Sequence, residues 1–386
     1  MIDTGNKIIL NAFIVYIWFK NKHMKVKDVI KYLDSIAPPQ FQEAYDNSGL
    51  IVGQSSKEVE GVLVCLDCIE EVVQEAIDLK CNLIVAHHPI IFSGLKKING
   101  SNYIERTVIK AIKNDINIFA IHTNLDNVLN GVNGKIADKL SLVNRQILKP
   151  KQDLLVKLTV FSPMASAEKI REVLFSSGAG HISDYSNCSF NVIGKGTFKP
   201  GEKSNPFVGK VGETHHEDEV KIEVILSKHL LNSTLQQLRD HHPYEEVAYD
   251  IYPLENTSNI GSGLIGELEN EIDANEFLAQ LKEKMNVKVI RHTTICKNKI
   301  KKVALCGGSG SFLLSSAKNL KADIFITADF KYHEFFDAEN QIIIADIGHF
   351  ESEQYTIDLI SDGLKENFSN FAIRLTGVNT NPINYL

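Results

Sequence analysis

From about residue 61 the chain alternates two rhythms. Short, nearly continuous apolar runs are each followed by a stretch whose apolar positions recur every three or four residues. VLVCLD (62–67) precedes IEEVVQEAIDL, NLIVAHH (82–88) precedes IERTVIKAIKN, and INIFAIHT (116–123) leads towards NGKIADKL. Apolar runs of this length suit strands covered on both faces, and the 3.6-residue period suits helices packed on them. The pattern therefore predicts βα units around a mostly parallel sheet. The same rhythm returns in KVALC (302–306), DIFITADF (323–330) and IIIADIGH (342–349), and the last helical stretch carries Ile357, Ile360, Leu364 and Phe368 along one side.

Between the two halves the pattern changes. LLVKLTVF, SAEKIREVLFSS, SFNVIGKGTF, VKIEVILS, LLNSTLQQLRDH and EEVAYDIYPL read as strand, helix, strand, strand, helix, strand, which is the ferredoxin-like order. The loop PGEKSNPFVG between its central strands is rich in turn formers. The expected organisation is an α/β main domain made of residues 24–150 and 258–386, interrupted by an inserted α+β domain at 151–257. Residues 1–23 read as an N-terminal extension. Their apolar run IILNAFIVYIWF (8–19) is too short to span roughly 30 Å of hydrocarbon and is followed by KNKHMKVKD, which offers no small-residue cleavage site. Met24 opens the amphipathic VKDVIKYLDSI and is a candidate start.

Composition narrows the partners. With 44% hydrophobic and 23% charged residues the chain reads as globular, and a net charge of −7 without a Lys/Arg run argues against a nucleic-acid partner. A small molecule or a protein is the expected partner, and no membrane association is expected. The six cysteines, at 65, 68, 81, 188, 296 and 306, lack the density of a disulfide framework, which points to the reducing cytoplasm. Cys65 and Cys68 form a single CxxC inside a strand pattern and read as buried thiols rather than zinc ligands.

The candidate chemistry gathers at strand ends. His87 and His88 close one apolar run, His122 closes a second with Asp126 just beyond, and His349 closes a third with Glu353 four residues on. Ligands of open α/β sheets bind outside the carboxyl ends of the strands, so the fold itself would bring these groups together. Burying unpartnered imidazoles in IVAHHPIIF would cost about 2–7 kcal/mol per polar group. Neighbouring side chains on a strand point to opposite faces, so the two histidines suit two metal ions side by side better than one. A carboxylate can bridge such ions at roughly 3.5–4 Å separation. His122 reads either as a ligand or as a group orienting Asp126 or a water. GGSGS (307–311), with Gly307, Gly308 and Ser309, reads either as an anion-binding loop or as a tight strand-to-helix turn. TADFKYHEFFDA adds Asp329 as a supporting or helix-starting residue, Lys331 as a candidate anion contact and His333 as a candidate proton shuttle. HHPYEE (241–246) could line an interface or a small pocket of the insert, and the histidine pair of GETHHEDE reads as solvated surface.

In order, DNSGLIVG (46–53), VAHHPIIF, HTNLDNVLNGVN, GGSGS, TADFKYHEFFDA and DIGHFESE resemble the motifs of the NIF-three-like dinuclear metal proteins, the GTP cyclohydrolase I type two homologues. KLTVFSP, GAGHISDYSNCSF and HHPYEEVAYDIYPL resemble the CutA-like domain inserted in the longer bacterial members. The resemblance covers about residues 24–386. It implies that His87, His88, Asp126, His349 and Glu353 bind two divalent ions per chain, for which mixed N/O ligands suit Zn, Fe or Mn. It further implies a homohexamer and a metal-dependent hydrolase that opens the guanine imidazole ring of GTP or a related small molecule. A non-catalytic metal-binding, trafficking or regulatory scaffold is the competing reading.

Overall fold

The computed structural model describes residues 24–182 and 184–386. The expected extension at 1–23 lies outside the described residues. The chain forms two compact units, one holding the described residues up to Lys149 together with Asn259–Leu386, the other Pro150–Ser258.

The first half of the larger unit supplies β1 (Gly49–Val52), β2 (Gly61–Cys65), β3 (Leu83–Ala86), β4 (Asn117–Ala120) and β5 (Val143–Pro150). The smaller unit carries β6 (Leu155–Pro163), β7 (Phe190–Phe198), β8 (His215–Ser227) and β9 (Tyr249–Leu254). The second half adds β10 (Gly261–Asp273), β11 (Arg291–His292), β12 (Lys299–Ser309), β13 (Ile324–Ala328), β14 (Ile343–Asp346) and β15 (Ala372–Leu375).

The larger unit is built on two mixed sheets, not on one mostly parallel sheet. The first has the order β1-β4-β3-β2-β15, with β15, β2, β3 and β4 parallel and β1 antiparallel at the edge. The second has the order β11-β14-β13-β12-β10-β5. Within it β12, β13 and β14 are parallel, and β10 and β11 flank them antiparallel. The parallel blocks are the continuous apolar runs: every residue of β2, β3, β4, β13 and β14 is buried. β10 departs from the pattern because its apolar half, GSGLIGEL, is followed by polar ENEID, so it carries no βα rhythm.

Strand alternation divides the core. Val62, Val64, Leu83, Val85 and Phe119 point into a cluster shared with Val303, Leu305, Ile324, Ile326 and Ile343 of the second sheet. Leu63, Cys65, Ile84, Ala86 and Ile118 point the other way, against the helix Glu70–Asp78 and the helix Tyr103–Lys113. Successive residues thus serve opposite layers, as period-two geometry requires. Helices Val26–Ile36, Val132–Lys139, Ala274–Lys284 and Thr356–Asn367 add Leu33, Ile136, Leu281 and Leu364 to the shared cluster. The two sheets are therefore layers of one core, and their carboxyl-terminal strand ends meet at one place.

The smaller unit has strand order β7-β8-β6-β9, antiparallel throughout, with helices Ala167–Ser176 and Leu231–His241 following β6 and β8. Leu158, Val160, Ile222, Val224, Ile170 and Leu238 form its core. The histidine pair His215 and His216 opens β8 rather than sitting in a loop.

Candidate metal centre

Backbone bonding carries the β2–β3 pairing one step past the strand ends. The His87 N–H donates to the Cys65 carbonyl and the His88 N–H to the Leu66 carbonyl, at 3.1 and 2.9 Å. His122 follows β4, and a single helical turn, Thr123–Asp126, swings Asp126 back over it. On the second sheet Gly348, at φ +92°, breaks from β14 into the short helix His349–Glu353. Six polar side chains from both sheets converge.

Their donor atoms fall into overlapping groups, each lying within 4.8 Å: His87, Asp126 and Glu353; His88, His349 and Glu353; and His87, His88 and His122. Glu353 is common to the first two and is buried. Its Oε2 lies 3.0 Å from His88 Nε2 and 3.2 Å from His349 Nε2, while its Oε1 lies 3.9 Å from His87 Nε2. The last distance is too long for a hydrogen bond. His87 is fully buried, and its Nε2 has no hydrogen-bond partner, nor does Asp126 Oδ1, 3.6 Å away. Two orphaned buried acceptors facing each other are costly unless something fills the gap. A cation does so, and this donor set fits one.

Each histidine is held from behind. His87 Nδ1 meets the Ile121 carbonyl at 2.9 Å. Asp67 takes His88 Nδ1 at 2.8 Å, Asp46 takes His122 Nδ1 at 2.7 Å, and Asp329 takes His349 Nδ1 at 2.7 Å. These carboxylates are themselves anchored: Thr380 Oγ1 donates to Asp67 at 2.8 Å, and the Thr123 hydroxyl and N–H both donate to Asp46. Such bonds fix the tautomer so that Nε2 points inward. Without metal the cluster holds protons instead. Burial opposes charge on His88 and His349, yet Asp67 and Glu353 raise the first to about 10, and Asp329 and Glu353 raise the second to about 11. Burial, reinforced by the Glu353 charge, pushes Asp126 up to about 7. Burial also opposes ionisation of Glu353, but the surrounding histidines hold it well below the usual carboxylate range.

The centre opens into a cavity of about 480 Å³ whose walls include Tyr45, Phe92, Phe312 and Phe350 and, among the described residues, contain no Lys or Arg. Of the residues singled out in the sequence, His87, His88, Asp126, His349, Glu353, His122 and Asp329 are brought together. His122 stands beside His87 and His88 as a donor, and it does not hydrogen-bond Asp126. Lys331 and His333 are not brought in. Both are exposed at the start of the 3-10 helix Tyr332–Ala338, where His333 stacks on Phe336, and neither lines the cavity.

Two N–H groups of GGSGS are engaged within the protein. The Gly307 N–H already donates to Asn133 Oδ1 and the Gly308 N–H to Ser352 Oγ, both at 2.9 Å. A Cβ on Gly308, at φ +63°, would stand 2.3 Å from Glu353 Oε1. The glycines let the backbone pass under the Glu353 carboxylate. The sequence reading also missed Asp46 and Asp67. Each sits in a turn-like context, DNSG and LDC, and Asp67 had a visible sign in its place just after a buried strand.

Comparison with known proteins matches residues 24–382 to the Duf34/NIF3 (NGG1p interacting factor 3) model. The chain belongs to the NIF3 family. Similar curated relatives, each called GTP cyclohydrolase 1 type 2 homolog, include one from Bacillus subtilis, 35% identical over 95% of this chain and 100% of its own length. Another, from Halalkalibacterium halodurans, is 38% identical over 93% of this chain and 98% of its own. Among solved structures, a Bacillus cereus protein related to NIF3 superposes with TM-score 0.83 at 36% identity, covering 95% of this chain and 100% of that one. A Staphylococcus aureus protein of known structure gives TM-score 0.75 at 31% identity, covering 94% of this chain and 99% of that one. The mixed α/β architecture is thus that of NIF3 proteins. Among the described residues no helix is long and apolar enough to cross a membrane.

Proposed function

We propose that this protein is a metal-dependent hydrolase of a small molecule, with two divalent ions held by His87, His88, Asp126, His349 and Glu353. The observation that carries this reading is the Glu353 carboxylate, whose two oxygens turn to two separate donor groups while His87 Nε2 and Asp126 Oδ1 face each other without partners. Mixed imidazole and carboxylate donors suit Zn, Fe or Mn. When bound, such a pair supplies Lewis acidity and lowers the pKa of water towards neutrality.

The chain's own residues do the rest. Asp67, Asp329 and Asp46 keep the imidazoles in one tautomer, and the aromatic walls present flat apolar faces to a ring while excluding water. The name carried by the relatives supports a guanine nucleotide, and those walls suit its base. Among the described residues the lining supplies no cationic side chain, so any contact to a triphosphate would rest on the metal ions themselves. That absence also favours the second reading, a metal-binding or regulatory scaffold. The family resemblance supports a cytoplasmic homohexamer, and the β-α-β-β-α-β order of the smaller unit supports a CutA-like insert.

Metal analysis of the wild type and Glu353→Ala, with turnover of GTP and of phosphoesters, tests the proposal. The expected result is two ions per wild-type chain, loss of metal in the variant, and metal-dependent turnover only in the wild type. Two ions without turnover of any substrate supports the scaffold. Fewer than one ion per wild-type chain overturns the site.

A further inference from the structure

The smaller unit contains a second, half-open cavity of about 340 Å³ between β7, β8, the loop joining them and the segment after helix Leu231–His241. Its walls combine the rings of Phe198, Phe207 and Tyr244 with the carboxylates of Glu219, Glu245 and Glu246, and among the described residues no Lys, Arg or His lines it. Tyr244 stands 6.2 Å from both Phe198 and Phe207, at interplanar angles of 57° and 51°, so three ring faces slope towards one space.

Glu219 is the unusual member. It is only 9% exposed, and among the described residues its side chain accepts a hydrogen bond from the Tyr244 hydroxyl at Oε1, at 2.9 Å. Oε2 lies over the α-carbon of Gly196, where any Cβ would come within 2.1 Å. A glutamine amide oxygen would accept the tyrosine bond equally well without burying a charge. A carboxylate at the wall of an aromatic-lined cavity offers a partner to a cation that enters it. Glu245 is engaged elsewhere: it accepts the Asn205 N–H at 2.8 Å and so draws the β7–β8 loop over the cavity.

We propose that this cavity binds a small organic cation, an alkylammonium whose charge meets Glu219 and whose carbon body lies against the Phe198, Phe207 and Tyr244 faces. Aromatic faces attract cations through the ring quadrupole, and most strongly where water is excluded. The volume, at the lower end of small-molecule pockets, admits such a small organic cation. An anion or a phosphate is disfavoured by all three carboxylates.

The test uses the full-length, metal-loaded protein with tetramethylammonium and butylammonium as probes, followed by saturation-transfer NMR. Uncharged tert-butanol is the shape control. Ligands of so few heavy atoms should bind with Kd on the order of 1 mM. Glu219→Gln, which keeps the Tyr244 bond, should weaken both cations at least about tenfold while leaving the melting temperature and the metal content unchanged. Phe207→Ala, at an exposed ring, should weaken them as well. Absence of saturable binding, equal binding of tert-butanol, or unchanged affinity in Glu219→Gln overturns the proposal. So does a result in which only an inorganic divalent ion responds to Glu219→Gln.

Discussion

Replacing Gly308 with alanine separates the two roles open to the glycine-rich turn. The residue adopts φ +63°, a left-handed conformation in which a Cβ costs about 1–2 kcal/mol. The added methyl would also stand 2.3 Å from Glu353 Oε1, and ordinary contact begins near 3.4 Å, so the carboxylate must retreat by about 1 Å. Glu353 Oε2 sits only 3.0 Å from His88 and 3.2 Å from His349, and a movement of that size breaks the geometry of both groups. Loss of a supporting contact of this kind lowers metal affinity by about 10–100-fold. Gly308→Ala should therefore fold, melt slightly lower, and bind metal at least tenfold more weakly in a competitive chelator titration. An anion-cradling loop would give the opposite result, because alanine keeps the N–H while the metal ligands stay in place. Unchanged metal affinity would refute the steric argument.

Other outcomes follow from the same geometry. Asp67→Asn keeps a side chain of similar shape but removes the charge behind His88, and should lower metal affinity by about 10–100-fold with little change in fold, read by the same titration. Stripping the metal should lower the melting temperature by an amount that grows with the free metal restored, and a melting curve indifferent to metal concentration would contradict a native-state site. The stripped protein should be most stable near pH 4–5. Asp46, Asp67 and Asp329 have depressed pKa values, so their contribution is present above the unfolded carboxylate value near 4 and is lost as pH falls. Asp126, raised to about 7, holds its proton in the folded state and costs stability as pH rises from about 4 to 7. His88 and His349 contribute fully below about pH 6.5 and lose that contribution only through about 10 and 11. A melting temperature of stripped protein that climbs steadily from about pH 5 to 8 would contradict these assignments.

The parallel strands and the convergence of six polar groups were legible because one signal carries both. A continuous apolar run that ends in His or Asp reports a buried strand and its functional end together, as IVAHH, IFAIH and IIIADIGH do. What escaped depends on partners far away in sequence. Asp46 and Asp67 resemble turn residues until His122 and His88 are seen to lean on them from 76 and 21 positions away. The meaning of Gly308 depends on Glu353, and a glycine made necessary by close approach looks like one needed for a loop. Lys331 and His333 follow a strand end as His349 does, but a 3-10 helix with its own cap, the Lys331 N–H to Glu334, turns them outward. The division into two sheets was hidden for a similar reason, since apolar runs specify burial and not which run is the neighbour.

That division has a consequence for the centre. His87, His88, His122 and Asp126 follow strands of the first sheet, whereas His349 and Glu353 follow β14 of the second. The sheets already share a core through Val64, Val85, Leu305 and Ile326, so the fold does not depend on metal as small zinc modules do. At the site Glu353 reaches across to the first sheet, bonded to His88 at 3.0 Å. Two ions would turn that contact into a cage drawing on both layers, worth about 4 kcal/mol when free metal exceeds Kd a thousandfold. The groups that would hold the metal are also those whose protons stand in for it, so the two sheets are pinned at this point in either state. Pinning keeps the orphaned His87 Nε2 and Asp126 Oδ1 poised 3.6 Å apart before any metal arrives.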